Sequence, residues 1–212
     1  MKRLFLTSQV HYVASDIASK LGDQTRLPMV FIDTCIKDKV RSAEALNWHY
    51  QNKQKLLDAG FSFDIYDITG KTADELRQDL AQYQIMYIEG GNTFYLLKSA
   101  LENDFSQLIN ERVNEGMIYI GTSAGSIIAG PDTRSGSRPG KNPEQYNLTT
   151  TKGFNLVNFT VMPHWGDKSK TADYLNYKLP LAYEMNNPFI LLNDNQYVEV
   201  VDNSFQIVDV SR

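Results

Sequence analysis

"MIYIGTSAGSIIAG", residues 117–130, holds an apolar run, a cluster of small residues and a second apolar run. The first run, Met117 to Ile120, is what a strand covered on both faces shows. The second, from Ile127, starts a helical pattern. Between them Gly121-Thr122-Ser123-Ala124-Gly125 fits G-x-S-x-G, where a serine sits on a sharp strand-to-helix turn. Such a turn needs small residues two before and two after the serine. It lifts the hydroxyl off the sheet edge, and the helix behind it aims N–H groups and its positive end at whatever the serine attacks. Five small residues in a plain tight turn would read the same way, so the rest of the chain has to decide.

Outward from this stretch the chain alternates. "RLFLTS" (3–8), "PMVFID" (28–33) and "FSFDIYD" (61–67) read as strands, and "IMYIEGGNTFYLLKSAL" (85–101) as strand, glycine turn and helix. Helical patterns occupy 15–23, 42–60, 72–83 and 105–116. In the second of these, Leu46, Tyr50 and Leu57 fall at helical spacing and Gly60 closes the element. Thr72 and Glu75 form a capping-box pattern. Strands separated by helices predict a parallel sheet with crossover helices, hence an α/β fold in one domain spanning 1–212. Beyond Gly130, residues 131–153 are rich in Pro, Gly, Ser and Thr and read as a long functional or mobile loop. "FTVMPH" (159–164) reads as a strand, 171–185 as helical up to Pro180, and 188–210 as a closing strand and a hairpin.

Charge and composition exclude several classes. With 21 basic against 25 acidic residues, nothing suggests a polyanion-binding surface, so nucleic acid is not an expected partner. The single cysteine, Cys35, allows no intrachain disulfide. The apolar run near the start is too short for a signal-peptide core, and no stretch approaches a membrane span. The expectation is a soluble cytoplasmic protein, monomeric or homodimeric.

A serine hydroxyl needs a base, and the histidines are His11, His49 and His164. His49 lies mid-helix between Trp48 and Tyr50, where a surface or packing role is expected. His11 follows the first strand and is a minor candidate. His164 ends the strand "FTVMPH" and is the favoured base. Acyl transfer also needs two N–H donors for an oxyanion. Ala124, just after the serine, is one, and Gly91 in the turn Gly90-Gly91-Asn92-Thr93 is the candidate for the other. Asn92 or Thr93 would otherwise simply cap the following helix. Phosphate binding at these turns is disfavoured, because neither G-x-G-x-x-G nor a P-loop pattern is present.

"IEGGNTFYLLK", then "YIGTSAGSIIAGP", then "MPHW" together resemble the peptidase E family of serine peptidases, which includes aspartyl dipeptidase and, more distantly, cyanophycinase. The resemblance covers most of the chain and is strongest between 85 and 165. It implies a three-layer α/β/α fold like that of the class I glutamine amidotransferases, with a mostly parallel central sheet and a C-terminal hairpin. It implies Ser123 as nucleophile, His164 as base, Gly91 and Ala124 as oxyanion donors, and hydrolysis of small peptides without metal or organic cofactor. The family's closing acid maps to Asp194 in "LLNDNQY", with Glu144 and Asp132 as rivals. The chain departs from aspartyl dipeptidases in two places. Its loop after the elbow, "DTRSGSRPGKN", is basic, and the segment after His164 carries Lys168 and Lys170 but no arginine. Lysine lacks arginine's planar fork for carboxylate, so strict Asp-Xaa specificity is not implied. Arg134, Arg138, Lys141, Lys168 and Lys170 are instead candidates for holding a peptide's C-terminal carboxylate, with Asn92, Thr93 and Arg138 as substrate-binding residues. Three other readings stay open: an esterase of the α/β-hydrolase type, with its acid between Ser123 and His164; an inert binding protein; and an amidotransferase-like enzyme, disfavoured because no cysteine occupies the elbow.

Overall fold

The computed structural model describes residues 1–211. In chain order the strands are β1 (Arg3–Thr7), β2 (Met29–Ile32), β3 (Phe63–Tyr66), β4 (Ile85–Ile88), β5 (Ile118–Thr122), β6 (Thr160–Pro163), β7 (Phe189–Leu192), β8 (Gln196–Val201) and β9 (Ser204–Asp209). The helices are α1 (Val10–Leu21), α2 (Asn47–Asp58), α3 (Ala73–Asp79), α4 (Thr93–Glu102), α5 (Phe105–Asn114), α6 (Ala124–Ile128), α7 (Thr171–Asp173) and α8 (Leu179–Glu184). Seven strands form the central sheet in the order β3-β2-β4-β5-β1-β8-β9. The first five pair in parallel, β8 lies antiparallel to β1, and β9 closes a hairpin with β8.

Alternation along the strands feeds two cores. Phe5, Phe31, Ile85, Tyr87, Ile118 and Ile120 pack with Val10, Val13 and Ile17 of α1 and Leu56 of α2. Leu4, Leu6, Val30, Ile32, Met86, Ile88 and Tyr119 pack with side chains of α3, α4, α5 and α6. Helices thus cover both faces, which is why these short strands are buried almost throughout. This is the three-layer α/β/α arrangement expected. Among the described residues no helix is long and apolar enough to cross a membrane.

The elbow itself is a steric device. A Cβ on Gly121 would lie 2.7 Å from the Gly125 carbonyl carbon, and one on Gly125 would lie 2.1 Å from the Ile88 carbonyl oxygen. The first turn of α6 therefore sits directly on β4 and on its own strand β5. Gly125→Ala should force backbone atoms apart and lower stability by about 2 kcal/mol or more. In a chain of this size about 2 kcal/mol is a fall in Tm of roughly 4–8 °C, readable by thermal denaturation.

Several elements differ from the sequence reading. α1 starts at Val10 rather than near Ser15, because Val10 and Val13 belong to the same buried stripe as Ile17, and the Val10 N–H bonds Thr122 Oγ1 at 2.9 Å. His11 is thus helical rather than in a loop. α2 buries His49, Asn52 and Leu56, while Tyr50 and Leu57 are exposed. The apolar spacing misled there because α2 packs on a buried carboxylate as well as on hydrocarbon. The segment 131–153 contains 3₁₀ turns at Arg134–Gly136 and Pro143–Tyr146, and Thr133, Ser135, Gly136 and Ser137 are buried. Pro180 does not end the last helical segment. A π turn over Tyr174–Lys178 leads into α8, which carries Pro180 in its first turn, where no N–H is needed. The strands β6 and β7 form their own parallel pair outside the central sheet.

Candidate active site

The carboxyl ends of parallel strands are where such sheets build sites. Here β1 ends at Ser8, β4 at Glu89-Gly90-Gly91 and β5 at Ser123, and the separate strand β6 ends at His164. Ser123 has φ 47°, ψ −103°, a positive φ that a side-chain-bearing residue rarely adopts. The turn is held by the Ser123 N–H on Thr7 O at 3.0 Å and by Ser126 Oγ on Thr7 O at 2.7 Å and Gly121 O at 2.8 Å.

Ser123 Oγ lies 3.0 Å from His164 Nε2, and His164 Nδ1 lies 2.8 Å from Asp194 Oδ1. A carboxylate at Nδ1 fixes the proton there and leaves the Nε2 lone pair facing the serine. His164 also has a positive φ, 67°. Of the rival acids, Asp132 pairs with Arg134 at 2.7 Å, and Glu144 sits in an exposed turn lining a different pocket. The chain order of the assembled group is therefore Ser, His, Asp, not the Ser, acid, His of α/β-hydrolases.

Ser8 was not singled out from the sequence. Its hydroxyl donates to Asp194 Oδ1 at 2.6 Å and accepts from the His164 N–H at 2.7 Å. One hydroxyl thus ties down both the carboxylate and the strained backbone of the histidine. No motif surrounds it; its only signal is its place at the end of β1.

Electrostatics suit a base. Burial pushes the His164 imidazolium below its usual value, with Lys170 and Lys178 adding to that and the bond to Asp194 opposing it. Burial alone would raise the Asp194 carboxyl; hydrogen bonds from His164 and Ser8, with the charges of His164 and Lys170, outweigh it and bring it to about 2. A depressed His164 stays neutral, and so able to accept a proton, to lower pH than a free imidazole. The acid limb of kcat/KM should accordingly have its midpoint below 6.5, with activity lost as pH falls through it. A midpoint at or above 6.5 in a pH–rate profile would contradict this assignment.

The second glycine turn leans on the nucleophile: a Cβ on Gly90 would lie 3.3 Å from Ser123 Cβ. Gly91 has φ 135°, and a Cβ there would lie 2.4 Å from Cys35 O, so only glycine fits. Among the described residues neither the Gly91 N–H nor the Ala124 N–H makes a hydrogen bond. The turn is braced from behind. The Asn92 N–H donates to Cys35 O at 2.7 Å, and Cys35 Sγ lies 2.9 Å from the carbonyl oxygens of both Glu89 and Gly90. Glu89, fully buried, accepts from the Gly90 N–H at 2.7 Å, Asn52 Nδ2 at 2.8 Å and Tyr87 Oη at 3.0 Å, with His49 Nδ1 at 3.0 Å. His11 Nδ1 in turn meets Asn52 Oδ1 at 2.8 Å. His11 and His49 therefore belong to a scaffold under the turn and not to the nucleophile.

Ser123, His164, Gly91, Thr122, Trp48, Asn52 and Arg138 line a cavity of about 230 Å³, together with Gln9, Gly90 and Lys170. Asn92 and Thr93 do not line it; Asn92 lines a neighbouring pocket that shares Arg138 with this one. Asn92 caps α4 through Phe94 and Tyr95 and bonds Asp38 and the Tyr146 hydroxyl, while Thr93 is buried against Gly136. Among the described residues no cluster of His, Cys, Asp and Glu suits a metal ion.

The model of peptidase family S51 matches residues 9–208, nearly the whole chain. The chain belongs to peptidase family S51. It is a serine-type peptidase. An uncharacterized peptidase of Listeria innocua serovar 6a is 30% identical, the match covering 96% of this chain and 98% of that one. One of Pasteurella multocida strain Pm70 is 28% identical over 92% of this chain and 95% of its own. The crystal structure of a protein of Listeria monocytogenes EGD-e, provisionally named peptidase E, superposes with a TM-score of 0.83 at 23% identity over 99% of both chains, which shows a shared fold.

Proposed function

We propose that this S51 peptidase hydrolyses short peptides through an acyl-enzyme on Ser123. The observation that carries the reading is the continuous chain Ser123 Oγ, His164, Asp194, with contacts of 3.0 and 2.8 Å, opening into a cavity of about 230 Å³. His164 Nε2 takes the hydroxyl proton as Ser123 attacks the carbonyl carbon. Asp194 holds the ring and stabilises the imidazolium that forms. The N–H groups of Gly91 and Ala124 receive the oxyanion. The imidazolium then protonates the leaving amine, and a water activated by the same base releases the acyl group.

The cavity is smaller than the roughly 300–1,000 Å³ of sites for drug-sized ligands, which favours substrates of few residues. The segment 131–153 supports the same limit. It is anchored rather than free, with Lys141 Nζ donating to Gly91 O at 2.5 Å and Tyr146 bonded to Asn92. The segment after His164 has no arginine, so the reading does not include strict Asp-Xaa specificity. The test is a panel of dipeptides, tripeptides and longer peptides followed by mass spectrometry. The expected outcome is cleavage of the short members by the wild type. Cleavage of folded or long chains at comparable rates, or of no peptide at all, would overturn the proposal.

A further inference from the structure

The turn after β4 can be accounted for group by group. The Glu89 N–H donates to Ile32 O at 3.0 Å, the Gly90 N–H to Glu89 Oε1 at 2.7 Å and the Asn92 N–H to Cys35 O at 2.7 Å. The Glu89 and Gly90 carbonyl oxygens each lie 2.9 Å from Cys35 Sγ, and the Gly91 carbonyl accepts from Lys141 Nζ at 2.5 Å. Among the described residues one polar group of the turn, the Gly91 N–H, makes no hydrogen bond, and Gly91 lines the Ser123 cavity. That N–H belongs to the Gly90–Gly91 peptide, which has glycine at both ends. No Cβ opposes rotation of such a peptide, and half a turn would put the Gly90 carbonyl where the N–H now points. A carbonyl there would repel an oxyanion, so the donor has to be held outward.

We propose that Glu89 and Cys35 are positioning residues that lock the Gly90–Gly91 peptide with its N–H toward the oxyanion. The proposal rests on the reading that Ser123 forms an acyl-enzyme with Gly91 as an oxyanion donor. Both side chains are fully buried and neither lines the cavity, so they act through the turn and not on the substrate. Cys35 acts on the peptide itself, its S–H donating to the Gly90 oxygen. Burial, and then the charges of Glu89 and Asp33, push the thiol well above its usual range against the opposing charge of Lys141 and a backbone hydrogen bond. Cys35 therefore keeps the proton it donates. Glu89 acts one peptide earlier. Its carboxylate holds the Gly90 N–H and so sets the direction in which the glycine pair leaves the strand. The carboxylate is itself fixed, by Asn52 Nδ2 at 2.8 Å, Tyr87 Oη at 3.0 Å and His49 Nδ1 at 3.0 Å. A group that only accepts suits a place surrounded by donors. His49 and Asn52 stand on α2, so the lock ties the turn to a helix of the opposite layer.

The test joins steady-state kinetics to a spectroscopic readout that needs no peptide. Ser123 is labelled with a simple alkyl fluorophosphonate, and the phosphorus NMR resonance of the native adduct is compared with that of the same adduct unfolded in urea. The difference reports hydrogen bonds to the phosphonyl oxygen, and the wild type should show one. Glu89→Ala should lose most of it and fall about tenfold to a hundredfold in kcat with KM within about twofold, approaching the cost of one lost oxyanion donor. Glu89→Gln should recover most of both. Its amide oxygen still accepts from the Gly90 N–H, and its NH₂ can donate to His49 Nδ1 once the ring carries its proton on Nε2. Cys35→Ala is a smaller change and keeps the test alive if Glu89→Ala fails to fold. It should lose about threefold to tenfold in kcat and part of the NMR difference, and Cys35→Ser, which keeps a donor, should regain both. An unchanged kcat and resonance in either alanine variant would overturn the lock, as would a fall in kcat with the resonance intact. A wild type that cleaves peptides, with every variant equally active, would sink the lock while upholding the peptidase reading. A wild type that cleaves none, with an adduct resonance that Glu89→Ala abolishes and Glu89→Gln keeps, would do the reverse.

Discussion

Ser123→Ala should cut kcat for peptide cleavage by about a thousandfold to a millionfold, the range expected when a serine nucleophile is removed from a triad. The loss should fall on kcat rather than KM, because Ser123 sits on the floor of the cavity and the rest of the lining survives. The fold should survive as well. Removing one oxygen leaves the Ser123 N–H bond to Thr7 O and the packing of Gly125 on Ile88 in place. The backbone strain of the turn stays as it is, because the cost of a φ of 47° comes from the Cβ, which alanine keeps. Steady-state kinetics together with a melting curve check both halves. Residual cleavage within tenfold of wild type would mean that another group does the chemistry.

Asp194→Asn should be the second most damaging change. Its amide is isosteric but can offer an N–H toward Nδ1, which selects the ring tautomer with Nε2 protonated and useless as a base. A loss in kcat of about a hundredfold to ten-thousandfold is expected near neutral pH. Ser8→Ala provides the contrast. It removes the donor at 2.6 Å from Asp194 and the acceptor of the His164 N–H, yet leaves the tautomer intact. Its cost should be about tenfold in kcat, with the His164 midpoint shifted in a pH–rate profile because the Asp194 charge is less well held. Equal losses in Ser8→Ala and Asp194→Asn would indicate that Asp194 acts only through the structure around it.

The residues nearest in sequence to the chemistry were the legible ones. Ser123 announces itself because an elbow this tight demands glycine at 121 and 125, and that demand is written in letters. Gly91 is legible for a similar reason, since its φ of 135° and the 2.4 Å approach to Cys35 O admit no side chain. The alternation of strands and helices showed the layers, because strands covered on both faces are nearly all apolar. Letters alone do not separate the two roles open to Asn92 and Thr93, because a helix cap and a ligand-binding loop use the same residue types. The apolar stripe of α2 misled because its true inner face carries His49 and Asn52, which are satisfied only by the distant carboxylate of Glu89. Ser8 and Lys178 were invisible for a related reason. Each does its work across more than forty positions of sequence, through contacts that no local pattern encodes.

The central claim is that Ser123 is a nucleophile primed by His164. The most direct measurement is intact-protein and peptide mass spectrometry after treatment with a fluorophosphonate, which captures activated serines covalently. The expected result is a single adduct on Ser123, formed faster as pH rises through the His164 midpoint, and absent in Ser123→Ala and in His164→Ala. No adduct in the wild type, or an adduct on another residue that persists in Ser123→Ala, would contradict the claim.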